Sequence, residues 1–360
     1  MKIVTVIPLE KGVFSSDLTY FTGKDIKIGS IVRAPVRNRK VLSLVTTCQD
    51  VQKEKGDIKE MSFKLKKIEE VKDQSIWKNE FIESIFLTAE YFSTTKNSAL
   101  SSLIPVIFKE RYDEVSDLVR QQENFVKIIS QGIKNEKLLF QAPLLDRLSF
   151  YKTLTRGYFA SKKSVFIILP TENDIEIFHD SLSKGIEKFT FMMHSGMKSK
   201  DIMGNLDKIL NSSHSVLIIG TAPYLGIPRD DIAVIIVEHE NSRAYKTIQK
   251  PNIDLRIFAE IYASKIGAKF ILADTLLRFE TIARKELDSW GEVYPLSYRT
   301  NADEIKISIL NPNPTNDEIT ENSDQVEKKD FHLFGEKSIE KINDYIKNKK
   351  KALIFSLRKG

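Results

Sequence analysis

The 360-residue sequence has one cysteine, Cys48. A single thiol excludes an internal disulfide framework and any cysteine-based zinc site within this chain. It favours a reducing compartment, so a cytoplasmic protein is expected. No apolar run reaches the ~18 residues a membrane-spanning helix requires. Met1 to Leu9 is apolar but short and runs through Pro8 into Glu10 and Lys11, which argues against a signal peptide. No internal repeat stands out. Acidic residues are missing from one stretch: Ile26 to Gln49 holds Lys27, Arg33, Arg37, Arg39 and Lys40 and no Asp or Glu. A positive field without acidic neighbours attracts polyanions. The alternative is a solvated basic strand face.

Hydrophobic residues make up 41% and charged residues 29%, a globular composition that excludes a largely disordered chain. Length favours two or three domains. Against 49 Asp+Glu there are 55 Lys+Arg, a net charge of +6. Residues 1–70 hold 14 Lys+Arg and 9 Asp+Glu, so this stretch carries +5 of it.

Residues 1–70 read as β-rich. Lys2 to Pro8, Ser30 to Val36 and Lys40 to Thr47 are β-branched runs punctuated by Gly12, Gly23, Gly29 and Asn38. Arg37-Asn38-Arg39-Lys40 lies between two such runs as a hairpin turn, suggesting a small barrel or sandwich with an exposed basic turn. Phe81, Ile82, Ile85, Phe86 and Ala89 then recur at helical spacing. A helix is expected to end near Pro105, and Leu118 to Ile133 is a second helical run. Between 137 and 290, strand candidates at 137–140, 165–169, 189–193, 216–219, 233–237 and 270–273 alternate with helical segments, which implies a mainly parallel α/β sheet. Thr171 with Asp174 resembles a helix-start capping pair. Residues 311–330 read as an acidic linker or loop. Ser338 is a plausible cap for an amphipathic helix marked by Ile339, Ile342 and Ile346, and 352–357 reads as a strand. A lone helix-strand pair cannot bury its apolar face; the expectation is a fragment, or a pair docked on the preceding sheet.

Several segments, in order, resemble one family. They are Leu18-Thr19-Tyr20-Phe21, Gly29 to Pro35, Asn38 to Val41, Met193 to Met197, Ile218 to Thr221, Val237 to Lys246, Ile271 to Thr281 and Leu353 to Gly360. Together they resemble primosomal protein N′, the bacterial replication-restart DNA helicase, over nearly the whole chain. The resemblance implies an α/β protein: a small β-barrel-like DNA-binding domain with a helical part (1–108), a helical connector (109–136), a P-loop-helicase-like parallel lobe (137–310), a linker (311–330) and the start of a second lobe (331–360). In the family the opening domain holds the 3′ end of the nascent strand. That implies DNA contacts at Thr19, Tyr20, Arg33, Arg37, Asn38, Arg39 and Lys40, with stacking by Tyr20 or Phe21. One of those two aromatics is expected in the barrel core, because they alternate.

The departures carry as much information. A phosphate-binding loop needs glycines for close backbone approach and a Gly-Lys-Thr end. The aligned stretch, Phe140 to Arg147, has neither, and Pro143, Leu144 and Asp146 stand where the loop would be. The family's Asp-Glu-Glu-His falls on Glu238, His239, Glu240 and Asn241, and its Ser-Ala-Thr on Ala273-Asp274-Thr275. The family aspartate that meets the 3′-hydroxyl is best matched by Thr19, with Asp17 close by, and a winged-helix domain is too large for 110–136. The family's zinc-binding cysteines would lie beyond residue 360. His194 and His239 lack partners at ligand spacing, and Glu238 and Glu240 fit a solvated strand end as well as a metal role.

The expectation is a DNA-binding protein of replication restart, binding forked or single-stranded DNA with a degenerate ATPase lobe. No catalytic residue, metal or cofactor is expected; ATP, magnesium and zinc are features of the family. Partners are DNA, including its 3′ end, and other replication proteins, with nucleoid association and no membrane. The alternatives are an active 3′–5′ helicase with an unconventional nucleotide site and a structural partner that binds no DNA.

Overall fold

A computed structural model describes residues 1–10, 17–37, 39–50, 65–72, 75–122, 136–288, 290–294 and 336–354. The chain forms two compact units, Met1–Tyr298 and Arg299–Gly360.

The first unit opens with six strands: β1 (Lys2–Pro8), β2 (Leu18–Thr22), β3 (Ile31–Val36), β4 (Arg39–Asp50), β5 (Lys66–Lys67) and β6 (Glu70–Lys72). They pair in the order β5-β2-β1-β4-β3-β6. The two edge strands are neighbours in sequence, so the short stretch around Ile68 brings both edges together and curls the sheet. Period-two alternation then divides the side chains. Val4, Val6, Tyr20, Val32, Ala34, Val45 and Ile68 fill one core. Ile7, Leu9, Ile31, Leu42 and Leu44 face a second, larger one shared with the rest of the unit.

Helices α1 (Asn79–Tyr91), α2 (Lys96–Leu103), α3 (Val106–Glu110) and α4 (Tyr112–Gln122) follow. Phe81, Ile85 and Ala89 are buried, as their spacing implies. Thr95 caps α2 by accepting from the Ser98 amide at 3.2 Å, and Asn97 Nδ2 donates to the Glu10 carbonyl at 3.2 Å, tying α2 to the curled sheet. Pro105, which cannot donate a backbone hydrogen bond, separates α2 from α3. The helix expected from Leu118 starts earlier, at Tyr112, and residues 123–133 of that expectation lie outside the described residues.

Seven parallel strands form the second sheet: β7 (Lys137–Gln141), β8 (Ser164–Ile168), β9 (Thr190–Met193), β10 (Leu217–Gly220), β11 (Ile232–Glu238), β12 (Lys269–Asp274) and β13 (Gly291–Glu292). Their order is β13-β7-β12-β11-β8-β10-β9. Val165 and Ile167 face one core while Phe166 and Ile168 face the other, which is why the strands read as unbroken apolar runs. The crossover helices are α5 (Leu144–Ala160), α6 (Glu172–Leu182), α7 (Ser199–Asn211), α8 (Leu255–Ile266) and α9 (Phe279–Asp288). Thr171 does cap α6, accepting from the Asp174 amide at 3.2 Å.

In the second unit, α10 (Glu336–Lys347) carries Ile339, Ile342 and Ile346. It begins ahead of Ser338, which is therefore not its cap. Ala352 to Ile354 is not a strand, and 355–360 and the acidic stretch 311–330 lie outside the described residues. Among the described residues no helix is long and apolar enough to cross a membrane.

Candidate functional site

Val36 pairs with Arg39 across β3 and β4, so the chain reverses within the basic segment. Arg37 lies at φ +52°, the left-handed conformation that tight hairpins demand. Arg37, Arg39 and Lys40 are exposed at this tip, and Asn38 lies outside the described residues.

Arg33 departs from the expected role. It is half-buried, with Nε 3.1 Å from Glu70 Oε1 and Nη2 3.6 Å from Asp113. Lys72 completes the cluster at 3.2 Å from Glu70 and 2.9 Å from Asp113. A hydrogen bond from Lys72 holds the Asp113 carboxyl below its ordinary range, and the same bond raises Lys72. The cluster pins the sheet to α4. Tyr20 also departs from stacking: it is buried, and its hydroxyl donates to the Pro35 carbonyl at 3.1 Å. Of the two adjacent aromatics, Tyr20 is the core residue and Phe21 is half-buried. Thr19 is half-buried in β2 opposite Thr5.

The second group of sequence positions converges at the carboxyl ends of β7, β11 and β12, the edge where parallel α/β sheets place ligands. Between β7 and α5 there are only two residues, Ala142 and Pro143. The link holds no glycine. Pro143, Leu144 and Asp146 are exposed around the start of α5, and Asp146 supplies negative charge to its first turn.

Glu238 and Glu240 are each 0% exposed, so neither sits on a solvated strand end. Glu238 accepts from Arg147 Nε at 2.9 Å and Nη2 at 2.6 Å, and from the Tyr151 hydroxyl. Burial works against the Arg147 charge, but its bonds to Glu238 more than offset this and its pKa is raised. Burial, followed by Glu238, pushes the Tyr151 phenol well above its usual value. Glu240 accepts from the Arg278 amide at 3.0 Å, Arg278 Nε at 2.6 Å and Thr281 Oγ1 at 2.6 Å. His239, at φ +54°, is half-buried, with Nδ1 3.6 Å from Asp174 and Nε2 3.6 Å from Glu238. Asp274 accepts from the Asn241 amide at 2.8 Å and from its neighbour Thr275 at 2.6 Å. His194 is buried, with Nδ1 3.8 Å from Glu172. Among the described residues no group of three or more His, Cys, Asp or Glu could hold a metal ion.

A groove of about 1030 Å³ runs between the curled sheet and the parallel lobe. Leu9 and Leu42 line it from the sheet, Val106 and Ile107 from α3, and Ser195, Thr221 and Lys246 from the lobe. The loop that follows β11 forms one lip, with Ile248 98% exposed. Residues 241–253 contain Arg243, Lys246 and Lys250 and no acid, a signal of the same kind as the window at 26–49. Sequence reasoning passed over it. It also passed over Arg147, whose partner lies 91 residues away.

Residues 6–105 match the family model of the PriA 3′DNA-binding domain. The replication restart protein PriA of Rickettsia felis is 23% identical over 376 residues, covering 100% of this chain and 54% of that protein. PriA of Helicobacter pylori is 23% identical over 261 residues, 71% of this chain and 40% of that protein. The chain thus spans about half the length of the curated relatives it matches. The UvsW helicase of bacteriophage T4 aligns with 14% identity and a TM-score of 0.33 over 44% of this chain and 54% of that chain, too low for any argument to rest on it. The match of the opening segment and the alignment along the whole of this chain, at 23% identity, support a divergent PriA-like family member.

Proposed function

We propose that this chain binds DNA in replication restart, taking forked or single-stranded substrates along its basic face without ATP-driven unwinding. The observation that carries the proposal is the exposed hairpin tip of Arg37, Arg39 and Lys40, set in an acid-free stretch inside the segment that matches a DNA-binding model. Cations held at a fixed tip neutralise phosphates and release counterions, so affinity must fall steeply with salt. Residues 241–253 add a second acid-free basic segment, Arg243, Lys246 and Lys250, of which Lys246 lines the groove together with Lys109, Glu10 and Glu110. Hydroxyls of Ser195 and Thr221 on the groove wall suit sugar and phosphate oxygens.

Three features support independence from ATP. The two-residue link at Ala142-Pro143 lacks glycine and offers no nest of amides. Asp146 would repel a phosphate at the helix start. Glu238, the carboxylate that aligns with a magnesium-binding position, is occupied by Arg147 and Tyr151.

The test is fluorescence anisotropy with a labelled fork bearing a free 3′ end, a blocked-end fork and single-stranded DNA, over a salt series. With three to five phosphates neutralised, log K against log salt should fall with a slope on the order of −3 to −4.5. Affinity indifferent to salt, or no binding to any of the three, would contradict the reading. A preference for the free 3′ end would extend it to end recognition around Thr19.

A further inference from the structure

Among the described residues, Arg147 is the largest side chain that is fully buried, at 1% exposure. Its guanidinium reaches three strand ends at once. Nε and Nη2 bind Glu238 at the end of β11, while Nη1 donates to the Ala142 carbonyl after β7 and to Thr275 Oγ1 at 3.0 Å after β12. Tyr151, one helical turn further along α5, supplies the second donor to Glu238. From Glu238 the chain runs directly into the groove lip. The Tyr245 hydroxyl lies between the carbonyls of Ile168, at 3.0 Å, and Glu238. Arg256 Nη1 donates to the carbonyls of Glu240 and, at 3.2 Å, Ser242. The lip that carries Lys246 thus leaves the strand at Glu238, whose carboxylate Arg147 binds, and is held further along by Tyr245 and Arg256.

Parallel strand ends flanked by helix N-termini attract an anionic ligand, which in turn draws the surrounding loops together. Here a buried ion pair does that from within. We propose that Arg147 is a positioning residue that permanently ties the β7, β11 and β12 ends through Glu238, and so holds the 239–250 lip in its DNA-facing conformation with no ligand at the strand ends. This rests on the DNA-binding reading above for its affinity readout, but not for its other readouts.

The experiment compares the full chain with Arg147→Ala and with the apolar pair Arg147→Met plus Glu238→Leu. Melting, amide hydrogen exchange over 239–250 and DNA anisotropy are measured for each. Breaking one side of a buried pair leaves Glu238 uncompensated, so Arg147→Ala should melt on the order of 5–15 °C lower. The lip amides should exchange faster, and DNA affinity should fall about three- to tenfold with a salt slope shallower by about 1–2, as lip contacts are lost. Roughly 10 mM ethylguanidinium, against sodium chloride at equal ionic strength, should reverse these changes in Arg147→Ala by filling the vacated space beside Glu238. The Met/Leu pair removes both charges but leaves the Tyr151 hydroxyl without its acceptor; it should melt between Arg147→Ala and the wild type and retain the faster lip exchange. Wild-type lip exchange in both variants would overturn the proposal. So would wild-type melting together with wild-type slope in Arg147→Ala. Absence of DNA binding by the unaltered chain would sink the DNA reading alone, and the exchange and rescue results would still decide the role of Arg147.

Discussion

The hairpin tip and the strand-end edge of the lobe both concentrate cations, and they use them in opposite ways. At the tip, Arg37, Arg39 and Lys40 stand exposed where β3 turns into β4. At the strand ends, Arg147, Arg256 and Arg278 turn inward to Glu238, Asp254 and Glu240, with closest contacts of 2.6 Å, 2.7 Å and 2.6 Å. A solvated cation loses little by exchanging water for phosphate. A buried one is already committed, and withdrawing its partner is costly. The difference teaches that only basic residues whose surroundings leave them exposed are candidates for the proposed DNA surface.

The largest effect that sharpens this contrast is at Glu240. Glu240→Ala should remove the closest partner of Arg278, which keeps Asp254 at 3.7 Å, and leave Thr281 without its acceptor, costing about 3 kcal/mol of stability, read as a lower midpoint in urea unfolding. An unchanged midpoint would break the claim that the inward cations are structural. Next is the tip itself. Replacing Arg37, Arg39 and Lys40 together by Ala should weaken DNA binding on the order of tenfold or more at moderate salt and flatten the salt slope by about 2–3, with melting unchanged. Arg33→Ala should have a far smaller effect, leaving DNA affinity within about twofold of the wild type, because Arg33 faces Glu70 and Asp113.

The smallest effect is the pH dependence of that last cluster. Asp113 has its pKa lowered in the folded protein, chiefly by its bond to Lys72. Its contribution is therefore complete above the usual aspartate value and is lost as pH falls through the lowered one. Lys72 is raised, chiefly by Asp113, so its share is complete below the usual lysine value and is lost as pH rises through the raised one. Asp113 is 55% exposed, and solvent screening keeps the gain small. Asp113→Asn should remove the small acid-limb loss of melting temperature below about pH 4. An identical acid limb in the variant would show that the cluster does not fasten α4 to the sheet.

Local signals made much of the fold legible. Unbroken apolar runs such as Ser164 to Ile168 announced a sheet covered on both faces, Thr171 and Asp174 announced the start of α6, and Arg37-Asn38-Arg39-Lys40 announced a hairpin turn, although Arg39 and Lys40 already belong to β4. Non-local partners hid the rest. Arg33 reads as one more cation in an acid-free window, because Glu70 and Asp113 come to it only through folding. Glu238 and Glu240 alternate like residues at a solvated strand end, yet both are sealed by arginines from other elements. The same limit concealed Arg147, since a guanidinium that ties three strand ends has no signature in its own segment.

The central claim is that the exposed cations bind DNA while the buried ones leave no part for a nucleotide. Anisotropy titration of the labelled fork over a salt series, with and without ATP and magnesium, tests it most directly. The account predicts a steep salt dependence and superimposable curves in the two conditions. A fork affinity that shifts severalfold when ATP and magnesium are added would contradict it.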